Sequence, residues 1–319
     1  MESYRALMDT LLAGSFGAAN SICSRIAAEH GGHPAVVFAR GTILYTRLVE
    51  SEDSSGRAEF LQLTDSCARL CDEWRKQARE NPPLLAYMKG NALASAGVIL
   101  LRAGEPLAGL RKLLAAKSAF DAAIEADPLF YDAYMGRGTY RCAVAQHASV
   151  LGILPFMPDV ESGLRDLRLA ADSSRWSRWT AVNALAWFTL EERQFDVADS
   201  LCSVGLARFP ESRAFLRPKL AVQVRQNHWA EAEVVARRLL NEYLSDSASN
   251  GYETTTLYWR LMVCADKLGR ADDAQAYARS GLSVHRSPDA ERRRKEKIED
   301  MRERLAGVSA DARSQTRER

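Results

Sequence analysis

The chain is 319 residues long, 47% hydrophobic, 26% charged and 8% aromatic, an ordinary balance for a folded protein. A single compact core stops growing near ~250–300 residues, so this length implies two domains or an elongated array. The formal net charge of +2, from 43 basic and 41 acidic residues, leaves no electrostatic footprint for nucleic acid.

Helical spacing recurs nearly everywhere, and no Asn-Gly or Asp-Gly turn separates two β-branched runs. In chain order the spacing predicts helices over 2–12, 15–30, 34–51, 56–79, 83–103, 106–126 and 130–147. The first of these has no basic segment leading into an apolar run, so no export signal is expected and the chain is read as cytoplasmic; a leader removed before residue 1 would make it periplasmic. The most apolar stretch, Leu84 to Leu101, carries Lys89, Asn91 and Ser95, so a buried helix is expected there and not a membrane span.

An apolar connector with two prolines, Pro155 and Pro158, interrupts the pattern over 148–159. Helices then resume over 160–172, 176–192, 194–208, 211–226, 229–245, 253–268, 271–285 and 288–306. The breaks hold Gly past a helix end or Pro at a helix start, as at Gly104-Glu105-Pro106 and Ser287-Pro288, where a first turn leaves the missing donor unneeded. A last helix with Ile298, Met301 and Leu305 as its apolar stripe is expected to cap the array, and 308–319, small and charged, to be disordered.

The helices come in pairs, and the pairs share a register. Leu185-Ala186 lies on one helix; Phe195 and Ala198 open the next, Gly205-Leu206 follow, and Pro210 closes the unit. Phe16 with Ala19, Trp229 with Ala232, and Gly269 with Ala274 repeat parts of it, and Phe120, Ala123, Ile124 and Pro128 lead into Tyr134 and Gly138. This resembles the tetratricopeptide repeat, in the form found in bacterial proteins, with degenerate units longer than its usual length of about 34 residues. The stretch 134–171 is similar, more weakly, to the inclusion-body-clearance or tetratricopeptide-39 family. The resemblance implies an all-α, right-handed α-solenoid of about seven antiparallel hairpins over 1–307, ending in a capping helix.

Chemistry-bearing motifs do not accumulate. His30 and His33 flank a Gly-Gly turn without a third ligand nearby, and Cys67 and Cys71 have no His between residues 50 and 80. The six cysteines read as small buried hydrophobes. Neither a nucleophile elbow nor a phosphate loop is present, and Gly138 in Gly136-Arg137-Gly138 is read as a close helix packing point. Asp272-Asp273 opens a helix, where the dipole favours carboxylates. No metal, cofactor or catalytic residue is expected.

The resemblance also implies where a partner sits. In arrays of this type four positions of each first helix line a concave groove. Here they are Thr180, Asn183, Trp187 and Leu190; Ala214, Arg217, Ala221 and Val224; Thr256, Trp259, Val263 and Asp266; and Asp132, Met135, Thr139 and Cys142. Met135, Thr180, Asn183, Trp187, Arg217, Trp259 and Asp266 are the expected partner-binding set, since Trp and Arg anchors carry a large share of interface energy. The expected function is a scaffold holding a protein or peptide. The alternative is a small-molecule or lipid-binding helical protein whose pocket is closed by 150–158.

Overall fold

The computed structural model describes residues 2–52, 54–151, 159–246 and 248–317, with side chains described except at 147–151 and 307–317. All regular structure among them is helical. The helices are α1 (Glu2–Leu12), α2 (Phe16–Glu29), α3 (Pro34–Ser51), α4 (Arg57–Lys76), α5 (Pro82–Arg102) and α6 (Pro106–Ala126). Next come α7 (Tyr131–Leu151), α8 (Val160–Ser173), α9 (Arg178–Glu191), α10 (Phe195–Arg208), α11 (Arg213–Arg225) and α12 (Trp229–Leu244). The chain closes with α13 (Tyr252–Lys267), α14 (Ala271–Ser283), α15 (Pro288–Arg293) and α16 (Lys295–Arg317).

Two boundaries differ from expectation. The helix expected over 288–306 breaks at Arg294, which turns its guanidinium over the ring of Tyr252 at 3.4 Å. Helix α16 then runs to Arg317, past the point where composition alone suggests disorder. The connector residues 152–158 lie outside the described residues.

Packing is sequential: α5 lies on α6, α7 on α8, α9 on α10, α11 on α12 and α13 on α14. The turns inside five hairpins are copies of one another. Gly14, Gly104, Arg193, Asn227 and Gly269 each take a left-handed backbone, with φ of 78°, 81°, 60°, 59° and 73°. The next residue's N–H then reaches back five residues: Ser15 to Thr10, Glu105 to Leu100, Gln194 to Thr189, His228 to Gln223 and Arg270 to Ala265, at 2.8–3.0 Å. This Schellman closure satisfies carbonyls that a helix end would otherwise leave unpaired. Five residues beyond each left-handed position stands a buried small residue: Ala19, Gly109, Ala198, Ala232 and Ala274. The missing bulk lets the two helices of a hairpin approach, so turn and crossing recur together.

Glycine makes two crossings tighter still. A Cβ at Gly163 of α8 would stand 2.5 Å from Cys142 Sγ and 2.9 Å from the carbonyl of Gly138 in α7. A Cβ at Gly97 of α5 would meet the carbonyl of Gly109 in α6 at 3.0 Å. Phe120, fully buried, fills the space left by Gly90 and Gly136 on the flanking helices α5 and α7. Helix α5 is long and apolar enough to cross a membrane, yet 61% of that window is buried within the fold.

The chain divides into two compact units. The first comprises Met1–Val49 and Ser55–Pro210, the second Glu50–Ser54 and Glu211–Arg319.

Candidate functional site

In the first unit the first helices of successive hairpins carry a column of aromatic rings. Tyr4 stacks on Phe38 at 5.0 Å, Phe38 meets Tyr87 at 6.1 Å, and Tyr87 touches Phe130 at 5.7 Å and Trp176 at 6.1 Å. Burial pushes the hydroxyls of Tyr4 and Tyr87 far above the usual tyrosine range. Beside this column the buried carboxylate of Asp132 accepts from the backbone N–H groups of Arg175, Trp176 and Ser177 and from the Ser177 hydroxyl, at 2.7–3.0 Å. A carboxylate at the start of α9 meets the positive end of that helix and its unpaired donors. Asp132 therefore sets where α9 begins, and its place among the groove positions is corrected: it is 3% exposed. Cys142 and Leu190, also groove positions by register, are buried too.

The other expected residues of this unit stay partly exposed. Thr139 donates to the Met135 carbonyl at 2.8 Å, and its hydroxyl also lies 3.8 Å from the Met135 thioether. Thr180, Asn183 and Trp187 follow along α9, all partly buried, and the Thr180 hydroxyl has no protein partner. The three tryptophans near 180 part company. Trp176 is core, Trp179 packs edge-on against Phe209 at 5.6 Å, and Trp187 keeps part of its ring in solvent.

In the second unit the charged groove positions are already engaged. Arg217 donates to Glu253 at 2.9 Å, and Glu253 is only 9% exposed at its side chain. Trp259 donates its indole N–H to Asp300 of α16, with Arg260 and Lys297 over its ring at 4.7 Å each. Asp266 takes a two-pronged pair from Arg304 of α16 at 2.6–3.0 Å. Ile298 and Met301 of α16 are buried against Met262, Ala265, Ala274 and Ala278. Trp259 and Asp266, expected on the groove by register, thus both contact α16; Trp259 is partly buried and Asp266 stays exposed.

Within electrostatic reach of Arg217 is a buried charged cluster. Arg213 donates to Glu50 at 3.2 Å and to Asp246 at 2.8 Å, and its guanidinium lies over the Tyr243 ring at 4.3 Å. Burial holds the Glu50 carboxyl above the usual glutamate range despite Arg213 and Arg217, which pull it down. The Tyr243 hydroxyl is likewise pushed far up by burial. Sequence reasoning found Arg217 by its register and missed Arg213, Glu50 and Tyr243. Arg213 precedes the first groove position, and Glu50 is 163 residues away from it.

The remaining titratable groups look structural. All six cysteines are free and buried; burial pushes the Cys142 thiol up to about 12 and the Cys264 thiol to about 11. His33 bonds to Glu80 at 3.1 Å and rests edge-on against Trp74. Among the described residues no three His, Cys, Asp or Glu side chains stand together as metal ligands would.

No family profile matches the chain, and no curated protein matches it. Solved structures resemble it at low identity. A tetratricopeptide repeat protein from Parabacteroides merdae is 15% identical over 85% of this chain and 93% of its own, with a TM-score of 0.45. Yeast Tom70 is 12% identical over 96% and 82%, with a TM-score of 0.39. Cut9 in the Cut9–Hcn1 hetero-tetramer of the APC/C is 13% identical over 77% and 53%, with a TM-score of 0.43. The repeated hairpin turns, and not these likenesses, carry the assignment of a helical-repeat fold. The likeness of 134–171 to the tetratricopeptide-39 family finds no support among them.

Proposed function

We propose that this chain is a non-catalytic scaffold that captures a protein or peptide segment on the exposed parts of its first helices. The observation carrying this is the partly exposed row Met135, Thr180, Asn183 and Trp187 on α7 and α9, beside a packed aromatic core. A partly exposed Trp on a rigid helix is a low-entropy anchor for a partner. Buried thiols with raised pKa values are poor nucleophiles, which fits a binding role better than a catalytic one.

The test is affinity purification of the full chain from its native cells, with partners identified by mass spectrometry. Trp187→Ala should leave the melting temperature within a few degrees and deplete the captured partners at least tenfold. Unchanged capture by a folded Trp187→Ala chain would sink the groove reading. The pocket alternative rests on 150–158, and 152–158 of these lie outside the described residues.

A further inference from the structure

The second unit holds a piece of the chain from far away in sequence. Glu50–Ser54, at the end of α3, belongs to it together with Glu211–Arg319. Four interactions secure this segment. Arg213 pairs with Glu50 at 3.2 Å, and Arg293 with Glu52 at 2.9 Å. The Asn250 side-chain N–H donates to the Ser51 carbonyl at 2.8 Å. Ser54 donates its N–H and hydroxyl to Asp289 at 3.2 and 2.7 Å.

The receiving surface is organised for the task. The Asn250 side-chain oxygen Oδ1 accepts from Tyr252 N–H at 3.1 Å, which leaves its side-chain Nδ2 to donate to Ser51. Gly251 has a φ of 81°, and a side chain there would collide with the His285 carbonyl, so this corner admits only glycine. The bound segment is less at ease. Glu52 is held in a left-handed backbone, φ 53°, which strains a non-glycine residue.

The surface also has capacity that this occupant leaves unused. Arg213 Nε, Tyr243 Oη and Arg294 Nε are buried without a partner. Arg213 and Tyr243 are 5% and 4% exposed and lie within electrostatic reach of Glu50. Arg294 lies over Tyr252, which in turn feels Glu52. Each unmet buried donor keeps the cost of leaving water without a bond in return. An occupant with better-placed acceptors would recover part of that cost.

We infer that the face built by Arg213, Asn250, Tyr252 and Arg293 is a docking site for an acidic turn of a partner protein, filled here by the chain's own Glu50–Ser54. This rests on the reading of the chain as a protein-binding scaffold and names the chemistry of one partner segment. The internal segment acts as a tethered competitor, so a free acidic peptide meets a local competitor at an effective concentration in the millimolar range.

The probe is a fluorescein-labelled peptide with the sequence of residues 48–56, titrated by anisotropy into the full chain. Wild type should bind it weakly, and Glu52→Lys, which repels the internal segment from Arg293, at least tenfold more tightly. Adding Arg293→Gln and Asn250→Ala to Glu52→Lys should reverse that gain, and a peptide with Gln for both Glu should bind at least tenfold less. Excess peptide should also speed amide hydrogen exchange across 50–54 in the wild-type chain. A folded Glu52→Lys chain that ignores the peptide, or binding indifferent to Arg293 and Asn250, would overturn the inference. If Glu52→Lys fails to fold, unchanged exchange at 50–54 would overturn it. Partner capture that still depends on Trp187 would leave the scaffold reading standing in that event.

Discussion

Glu50 carries its charge where burial resists it. Its pKa is raised by burial and opposed by Arg213 and Arg217, while Asp246 pushes it further up. A raised folded-state pKa means that folding favours the protonated acid. The stabilisation is then fully present below the ordinary glutamate value of about 4.3 and is lost as pH rises through the folded value. Glu50→Gln, a neutral isostere, should therefore match or exceed wild type in melting temperature at pH 7.5 and lose any advantage near pH 4. A marked drop at pH 7.5 would mean that the pair with Arg213 outweighs desolvation. Arg193 offers a second residue-scale test. It is exposed and left-handed at the turn where Gly14, Gly104 and Gly269 stand in sister hairpins. Relief of that strain exceeds the entropy a glycine loses, so Arg193→Gly should stabilise by about 0.5–1 kcal/mol in urea unfolding.

At the scale of helices, close crossings do most of the specifying. Gly138 and Gly163 bring α7 and α8 together so tightly that no Cβ fits without moving Cys142 or a backbone carbonyl. Gly163→Ala should cost about 1–3 kcal/mol by overpacking, read from the urea midpoint at unchanged slope. The glycine at 138 was legible because it stands at the small-residue position of the repeat. Gly104 was legible as turn punctuation and Gly269 as a register position, while Gly14 was not singled out. Arg193 and Asn227 were not legible, since neither residue type announces a left-handed backbone as glycine does; only the copied hydrogen-bond pattern reveals them. Likewise α16 was expected from its apolar stripe, but its hold on Trp259 and Asp266 follows from side chains 41 and 38 residues apart.

Across the whole chain, most packing joins neighbours in sequence, which makes stability local. Damage in one unit should therefore leave the other protected. Ala278→Asp would bury a charge in the α13–α14–α16 core of the second unit. Hydrogen exchange should then accelerate across 255–305 while amides of α5 and α6 keep their wild-type protection. Global loss of protection would show that the two units unfold as one.

Periodicity and small residues at regular offsets determined by themselves that this protein is a run of antiparallel helix pairs. Those signals are local, since helix period, turn chemistry and hairpin crossing all act within about forty residues. The tertiary structure alone decided which register positions stay open. Asp132 turned inward to begin α9, α16 bonded to Trp259, and Glu50, Ser51 and Glu52 came to rest on Arg213, Asn250 and Arg293. Charge pairing across 163 to 241 residues is non-local, and no repeat motif encodes it.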